Sequence, residues 1–372
     1  MKKLILILLI AVFPVFLCGF SYEEDFINSQ AEFIEDSKIS DNLSDETEEI
    51  LKEIGINNIT AEEIISFSFT DFINMILISV KEKITEPIKA ICSVLAAGLL
   101  CSLLNNFCGN FKETDKVINA VSVLAVSTAV LIPIKEVFVF ASKVIGECSD
   151  FMLGFIPLYS SATASCGYIT SATGYRTLML GAITVVSRLS SEIVLPLISI
   201  YIAMSIAGSV SEINIGEISK SFKNFAVWVL GGSMTVFSCI LGLGTLISSS
   251  SDGAFHKTAK FLIGGTIPVI GSTVSDALST LKSCLILTKN VFGVYGIIVT
   301  AAIFIPPIIT VLIWKICLSF SATLSNILGN KNLYNLMSSA SAVMGILLSL
   351  LITVGIMFIF SVAILLMTGG GI

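Results

Sequence analysis

From residue 87 onward the chain is a succession of apolar runs separated by short polar stretches, and an acidic, polar region precedes them. Crossing about 30 Å of hydrocarbon takes about 20 helical residues. Ile88–Asn105, Val117–Ile134, Thr177–Gly208, Ala226–Ser248, Val291–Ser321 and Met344–Met367 approach or exceed that length. The pattern predicts an all-α polytopic membrane protein of about six transmembrane helices, rising to eight if 177–208 and 291–321 each cross twice. Pro306-Pro307 removes two backbone donors inside one run and predicts a kink or split there. Lys2-Lys3 followed by Leu4–Leu17 has the charge and length pattern of a signal peptide. Residues 1–21 therefore read as a signal peptide or an uncleaved anchor. Residues 22–86 read as an acidic extracytoplasmic segment, and 87–372 as the multi-span membrane domain.

Two places break the apolar pattern. Gly265-Thr266-Ile267-Pro268-Val269-Ile270-Gly271-Ser272-Thr273-Val274-Ser275-Asp276 combines helix-weakening glycines, a proline and a carboxylate. Broken polar backbone at membrane depth is tolerated only where protein buries it or a wet cavity adjoins it. The stretch reads as a re-entrant hairpin or as a kinked helix end near the headgroups. Gly154-Phe155-Ile156-Pro157, followed by the small polar run Ser160–Gly174, has a similar form 111 residues earlier. At that offset Gly154, Ile156 and Pro157 align with Gly265, Ile267 and Pro268, Ser161 with Ser272, and Pro196 with Pro307. A duplicated span–hairpin–span unit, as 117–225 and 226–335, would leave such a pattern, and so would coincidence between apolar segments.

The acidic region carries its own helical signals. Glu46–Ile54 reads as a short amphipathic helix, and Thr60-Ala61-Glu62-Glu63 as a capping box. Phe67, Phe69, Phe72, Ile73, Ile76, Leu77 and Val80 form the apolar face of a further helix near the membrane surface. The segment is either a solvated leader or a docking segment.

Composition sharpens this picture. Of the 372 residues 55% are hydrophobic and only 13% charged, about half the charged share of a soluble domain. Residues 21–86 hold seventeen Asp/Glu and four Lys, whereas the body is mildly basic. Nucleic-acid binding, which needs clustered cations, is not expected. The nine cysteines form no C-x-x-C pair, and the single histidine, His256, has no neighbouring ligand set for zinc. No P-loop, dinucleotide fingerprint or H-E-x-x-H helix occurs, so neither a cofactor nor enzymatic chemistry is expected. Arg188 and Glu192 lie four apart, where a regular helix puts them on one face to pair. Ionisable groups at membrane depth are functional candidates, and a neutralised structural pair is the plainer reading. The candidate pore or interface residues are Gly265, Pro268, Gly271, Ser275, Asp276, Gly154, Pro157, Arg188 and Glu192.

At Gly265-Thr266-Ile267-Pro268-Val269-Ile270-Gly271 with Asp276-Ala277, followed by Leu287-Thr288-Lys289-Asn290-Val291-Phe292-Gly293, the chain resembles the stage III sporulation protein AE family of endospore-forming Firmicutes. The layout matches as well: signal-like start, acidic head and multi-span body. Thr288 departs from the Leu usual in that family at this point. The resemblance implies a subunit of the channel, or feeding-tube, complex between mother cell and forespore, inserted in the outer forespore membrane. It also implies partners from the same operon, namely a cytoplasmic ATPase, ring-forming and other membrane subunits, and a partner in the forespore membrane. The family brings no established catalytic residues. Two other functions fit the residues alone: a self-sufficient secondary transporter using Asp276, Arg188 and Glu192, or a membrane scaffold with no conduit of its own.

Overall fold

A computed structural model describes residues 43–56, 68–89, 112–211, 224–240 and 271–367, together with 64, 91–93, 96, 99–100 and 221–222. The signal-like start, the capping box at 60–63 and the stretch Gly265–Ile270 lie outside the described residues. Among the described residues every regular element is helical and no strand occurs. The helices are α1 (Asp45–Glu53), α2 (Phe69–Lys83), α3 (Lys112–Ser165), α4 (Ile169–Arg188), α5 (Leu195–Ser211), α6 (Asn224–Ile240), α7 (Gly271–Ile327) and α8 (Lys331–Met367). A π-helical turn, Leu189–Val194, joins α4 to α5.

Among the described residues three helices are long and apolar enough to cross a membrane: Ile169–Met204, Lys289–Ile327 and Lys331–Ile364. They make this a helical membrane protein, because backbone in lipid must satisfy its own hydrogen bonds. The two longest helices exceed any bilayer. At 1.5 Å per residue, the 54 residues of α3 run about 80 Å and the 57 of α7 about 85 Å.

Two tight reversals organise the bundle. At the end of α3 the Gly167 N–H bonds the Ala164 carbonyl at 2.8 Å and the Tyr168 N–H bonds Thr163 at 3.3 Å. The second reversal repeats this, with Gly329 N–H on Asn326 at 3.0 Å and Asn330 N–H on Ser325 at 3.1 Å. Both are Schellman caps, and both glycines hold the positive φ such caps require, +90° at Gly167 and +77° at Gly329. Asn330 then starts α8 by accepting the Leu333 N–H on its side-chain oxygen at 3.1 Å. The Asn326–Asn335 polar stretch is thus a three-residue turn between two helices.

The α7/α8 hairpin is the core of the molecule, with α3 packed along α7 and α5 along α8. Between Val291 and Leu318 most apolar side chains of α7 are buried, as are Leu347, Leu350, Leu351 and Phe358 of α8. Pro306-Pro307 neither splits nor ends α7, which stays helical through both. Packing on two sides holds it, and the Thr310 hydroxyl returns a bond to the Pro306 carbonyl at 2.8 Å.

The described part of the acidic head, 43–56 and 68–86, is docked on the body. Helices α1 and α2 both pack on α7. The expected amphipathic helix forms as α1, burying Ile50 and Leu51. In α2, Phe72 and Met75 turn inward, with Ile76 and Val80 packed beside them. Its first turn is fixed by Asp71, whose carboxylate accepts the Ser68 N–H and hydroxyl at 2.8 Å each.

Candidate functional site

Close packing occurs where α3 meets α7. Phe151, Phe155 and Tyr159 recur every fourth residue, so they form one stripe on α3. Their rings stack in series, with centroids 5.4 and 5.3 Å apart. Tyr175 of α4 meets Tyr159 edge-on at 6.5 Å. The stripe fits a notch made by two glycines one turn apart on α7. A Cβ built at Gly296 would stand 2.5 Å from Phe155 Cζ, and one at Gly293 would stand 2.5 Å from both Tyr159 Oη and Leu366 Cδ1. Small residues let helices approach closely where lipid offers no hydrophobic contrast, and these two glycines are used in that way.

One turn before Gly293, Lys289 is almost fully buried. Its ammonium donates to the Leu366 carbonyl at 3.2 Å and stands 6.0 Å from the Tyr168 ring centroid. That carbonyl belongs to the last turn of α8, where unsatisfied carbonyls and the helix dipole favour a cation. Lys289 therefore ties the end of α8 to the α3–α4 turn. The phenol oxygen of Tyr159, in the same layer, is wholly buried and has no hydrogen-bond partner among the described residues.

A second polar centre joins the head to the body. Glu147 of α3 faces the start of α1, and one of its carboxylate oxygens accepts three donors. These are the Ser44 N–H at 3.0 Å, the Ser44 hydroxyl at 2.8 Å and the Thr47 hydroxyl at 2.7 Å. A carboxylate at a helix N-terminus is favoured by orphan N–H groups and the dipole together. Beside it the Lys83 ammonium of α2 pairs with Glu46 at 2.7 Å and lies 5.7 Å from the Phe140 ring centroid.

The residues singled out from sequence are dispersed. Gly265 and Pro268 lie outside the described residues. Gly271, Ser275 and Asp276 fall in the first turns of α7. From Gly271 onward the backbone is therefore helix, where a hairpin's second limb was expected. Gly154 and Pro157 are half-buried inside α3, which continues through Pro157 to Ser165. The broken backbone expected at Pro157 is replaced by helix, and the chain reverses ten residues later, at Gly167. Buried Phe155, Ile156 and Tyr159 hold the helix through the proline. At the 111-residue offset that reversal has no counterpart, since position 278 lies inside α7.

Arg188 and Glu192 are both exposed, and no ion pair joins them. The π-helical turn between them replaces the regular i, i+4 geometry on which that pairing depends. Of the residues the structure does bring together, Lys289 lies in the Thr288-Lys289-Asn290 motif already noted. The aromatic stripe had a visible spacing. Glu147 had no local signal, because its partners are 100 and 103 residues away.

Helices long enough to cross a bilayer, packed through a glycine notch and a buried lysine, define a helical membrane protein whose specific features lie in its helix contacts. The family model for stage III sporulation protein AE matches residues 52–369, and the chain belongs to that family. A curated relative, the stage III sporulation protein AE of Bacillus subtilis (strain 168), is 27% identical over 231 residues, covering 62% of this chain. The match spans 58% of that relative's own length. No solved structure matches the chain. Membership gives the protein a role in sporulation, in a family that is not a known enzyme family.

Proposed function

We propose that the protein is the membrane subunit of a channel complex linking mother cell and forespore, needed for forespore development after engulfment. In this reading it resides in the outer forespore membrane with residues 22–86 outside the cytoplasm. It works there with ring-forming, membrane and ATPase subunits of the same operon and with a forespore membrane partner. The observation that carries the reading is the family match, which runs from the last turn of α1 through α2 and the three membrane-length helices among the described residues. Six to eight crossings belong to the same proposal, with 262–281 folded partly as a re-entrant element.

A self-sufficient secondary transporter needs convergent ionisable groups near the bilayer midplane. Arg188 and Glu192 both face outward, unpaired with each other, which favours a subunit that meets partners. The test is reconstitution. Liposomes holding the purified full-length chain alone should show no concentrative uptake under a proton or sodium gradient. Gradient-driven accumulation by the chain alone would replace the channel-subunit reading with the transporter.

A further inference from the structure

We propose that α1 is a latched lid over a water-facing wall of the α3–α7 pair, held shut by the Glu147 carboxylate. The argument starts from register. Phe155 stands against Gly296 and Tyr159 against Gly293, so α3 and α7 run antiparallel. Carried two turns back along α3, this register sets Glu147 level with the stretch of α7 around Phe304. There α7 is apolar from Ala301 to Ile309, and Phe304 packs on Gly355 and Phe358 of α8. Helix α1 therefore lies beside the most apolar section of the longest buried helix.

Its two faces differ sharply. Ile50 and Leu51 point inward and are buried, as is Ile56 just beyond the helix. Asp45, Glu49, Lys52 and Glu53 point outward and are exposed. A row of charges cannot face hydrocarbon, so this side of the bundle meets water, whether within the membrane or beyond its surface.

The attachment is suited to release. Among the described residues it comprises the buried Ile50, Leu51 and Ile56 with Leu43 and Ile54 beside them, three hydrogen bonds converging on a single oxygen of Glu147, and the Lys83–Glu46 pair. Removing Glu147 deletes all three bonds at once and leaves a nine-residue helix, too short to be stable alone, held only by its apolar face and the Lys83–Glu46 pair. A lid of this kind gives the proposed conduit an element that opens. The mechanical claim rests on that reading only for its purpose, because the labelling below reports lid opening whether or not anything is conducted.

The test uses the full chain with its native cysteines replaced, in membranes opened to both faces. Single cysteines at Glu49 and Leu51 are titrated with a charged, membrane-impermeant thiol reagent. Glu49→Cys should react quickly and Leu51→Cys slowly. Adding Glu147→Ala should raise the Leu51→Cys rate at least tenfold, and Ser44→Ala with Thr47→Val, which removes both hydroxyl donors but keeps the Ser44 N–H, should raise it in the same direction while α3 stays intact. A third cysteine, at buried Ile303, should stay unreactive throughout and so report that the body is folded. Two results overturn the proposal. One is Glu49→Cys that reacts only with a permeant reagent, which would put that face in lipid. The other is a Leu51→Cys rate unchanged by either latch variant while Ile303→Cys stays protected.

Discussion

Gly296→Ala tests whether the aromatic stripe and the glycine notch hold α3 to α7. The added methyl would lie 2.5 Å from Phe155 Cζ and 2.7 Å from Cε1, far inside contact distance. The ring has nowhere to swing, because Phe151 and Tyr159 stack on it from both sides and all three are buried. Overpacking of this kind costs about 1–3 kcal/mol. Against it stands the helix propensity of alanine over glycine, a gain of about 1 kcal/mol. Gly231→Ala on α6 isolates that gain, since a Cβ there meets nothing within 4 Å. The propensity term is common to both substitutions, so the difference between them is the clash itself, about 1–3 kcal/mol. Detergent-purified full-length protein should show Gly231→Ala melting at or slightly above wild type and Gly296→Ala several degrees below it. Phe155→Leu, which removes the ring, should make Gly296→Ala nearly neutral in a double-mutant cycle. Equal melting of the two alanine variants, or no coupling to Phe155, would refute the notch.

Three further outcomes follow from the same contacts. Lys289→Met should leave the protein folded but speed amide exchange across residues 362–367 at least tenfold, because the Leu366 carbonyl loses its donor; unchanged exchange there would show that the lysine does not hold the end of α8. Gly329→Ala forces a Cβ into φ +77° and should cost about 1–2 kcal/mol in chemical denaturation, whereas an unchanged midpoint would mean the turn relaxes freely. Arg188→Gln and Glu192→Gln should be additive in stability within about 0.5 kcal/mol, as independent exposed sites are; a larger coupling energy would restore the ion pair.

Sequence pattern alone gives the helical class and the amphipathic helix at 45–53, because each depends on periodicity within one element; of the face expected on α2, Phe72, Ile76 and Val80 turn inward, whereas Ile73 and Leu77 are exposed and Met75 is buried instead. It misplaces the breaks. Pro157 and Pro306-Pro307 carry strong local signals for a break, yet buried packing on several sides keeps both helices continuous. Gly167 and Gly329, where the chain does reverse, are two glycines among 27 and are marked only by the caps they complete. The i, i+4 rule fails at Arg188 and Glu192 because it assumes a regular α-helix, and the turn between them is π-helical. Glu147 was illegible for a different reason. Its role depends on an element about one hundred residues earlier, and no local pattern encodes that pairing. Lys289 was visible as a motif residue, but its partner at Leu366 is 77 residues away.

Asp276 keeps its place as the functional candidate on the first turns of α7. Asp276→Ala should leave the protein inserted at normal levels while lowering spore yield. Wild-type yield would reduce the motif to a structural one.

The central claim is that this membrane protein is required after engulfment, and deleting its gene in the sporulating host tests it most directly. With forespores followed by membrane dye and a late forespore-specific reporter, the account predicts that engulfment completes. Development should then stop, with the late reporter dark, and the wild-type gene expressed in the mother cell should restore both. Deleted cells that form heat-resistant spores at wild-type frequency, with the reporter on, would contradict it.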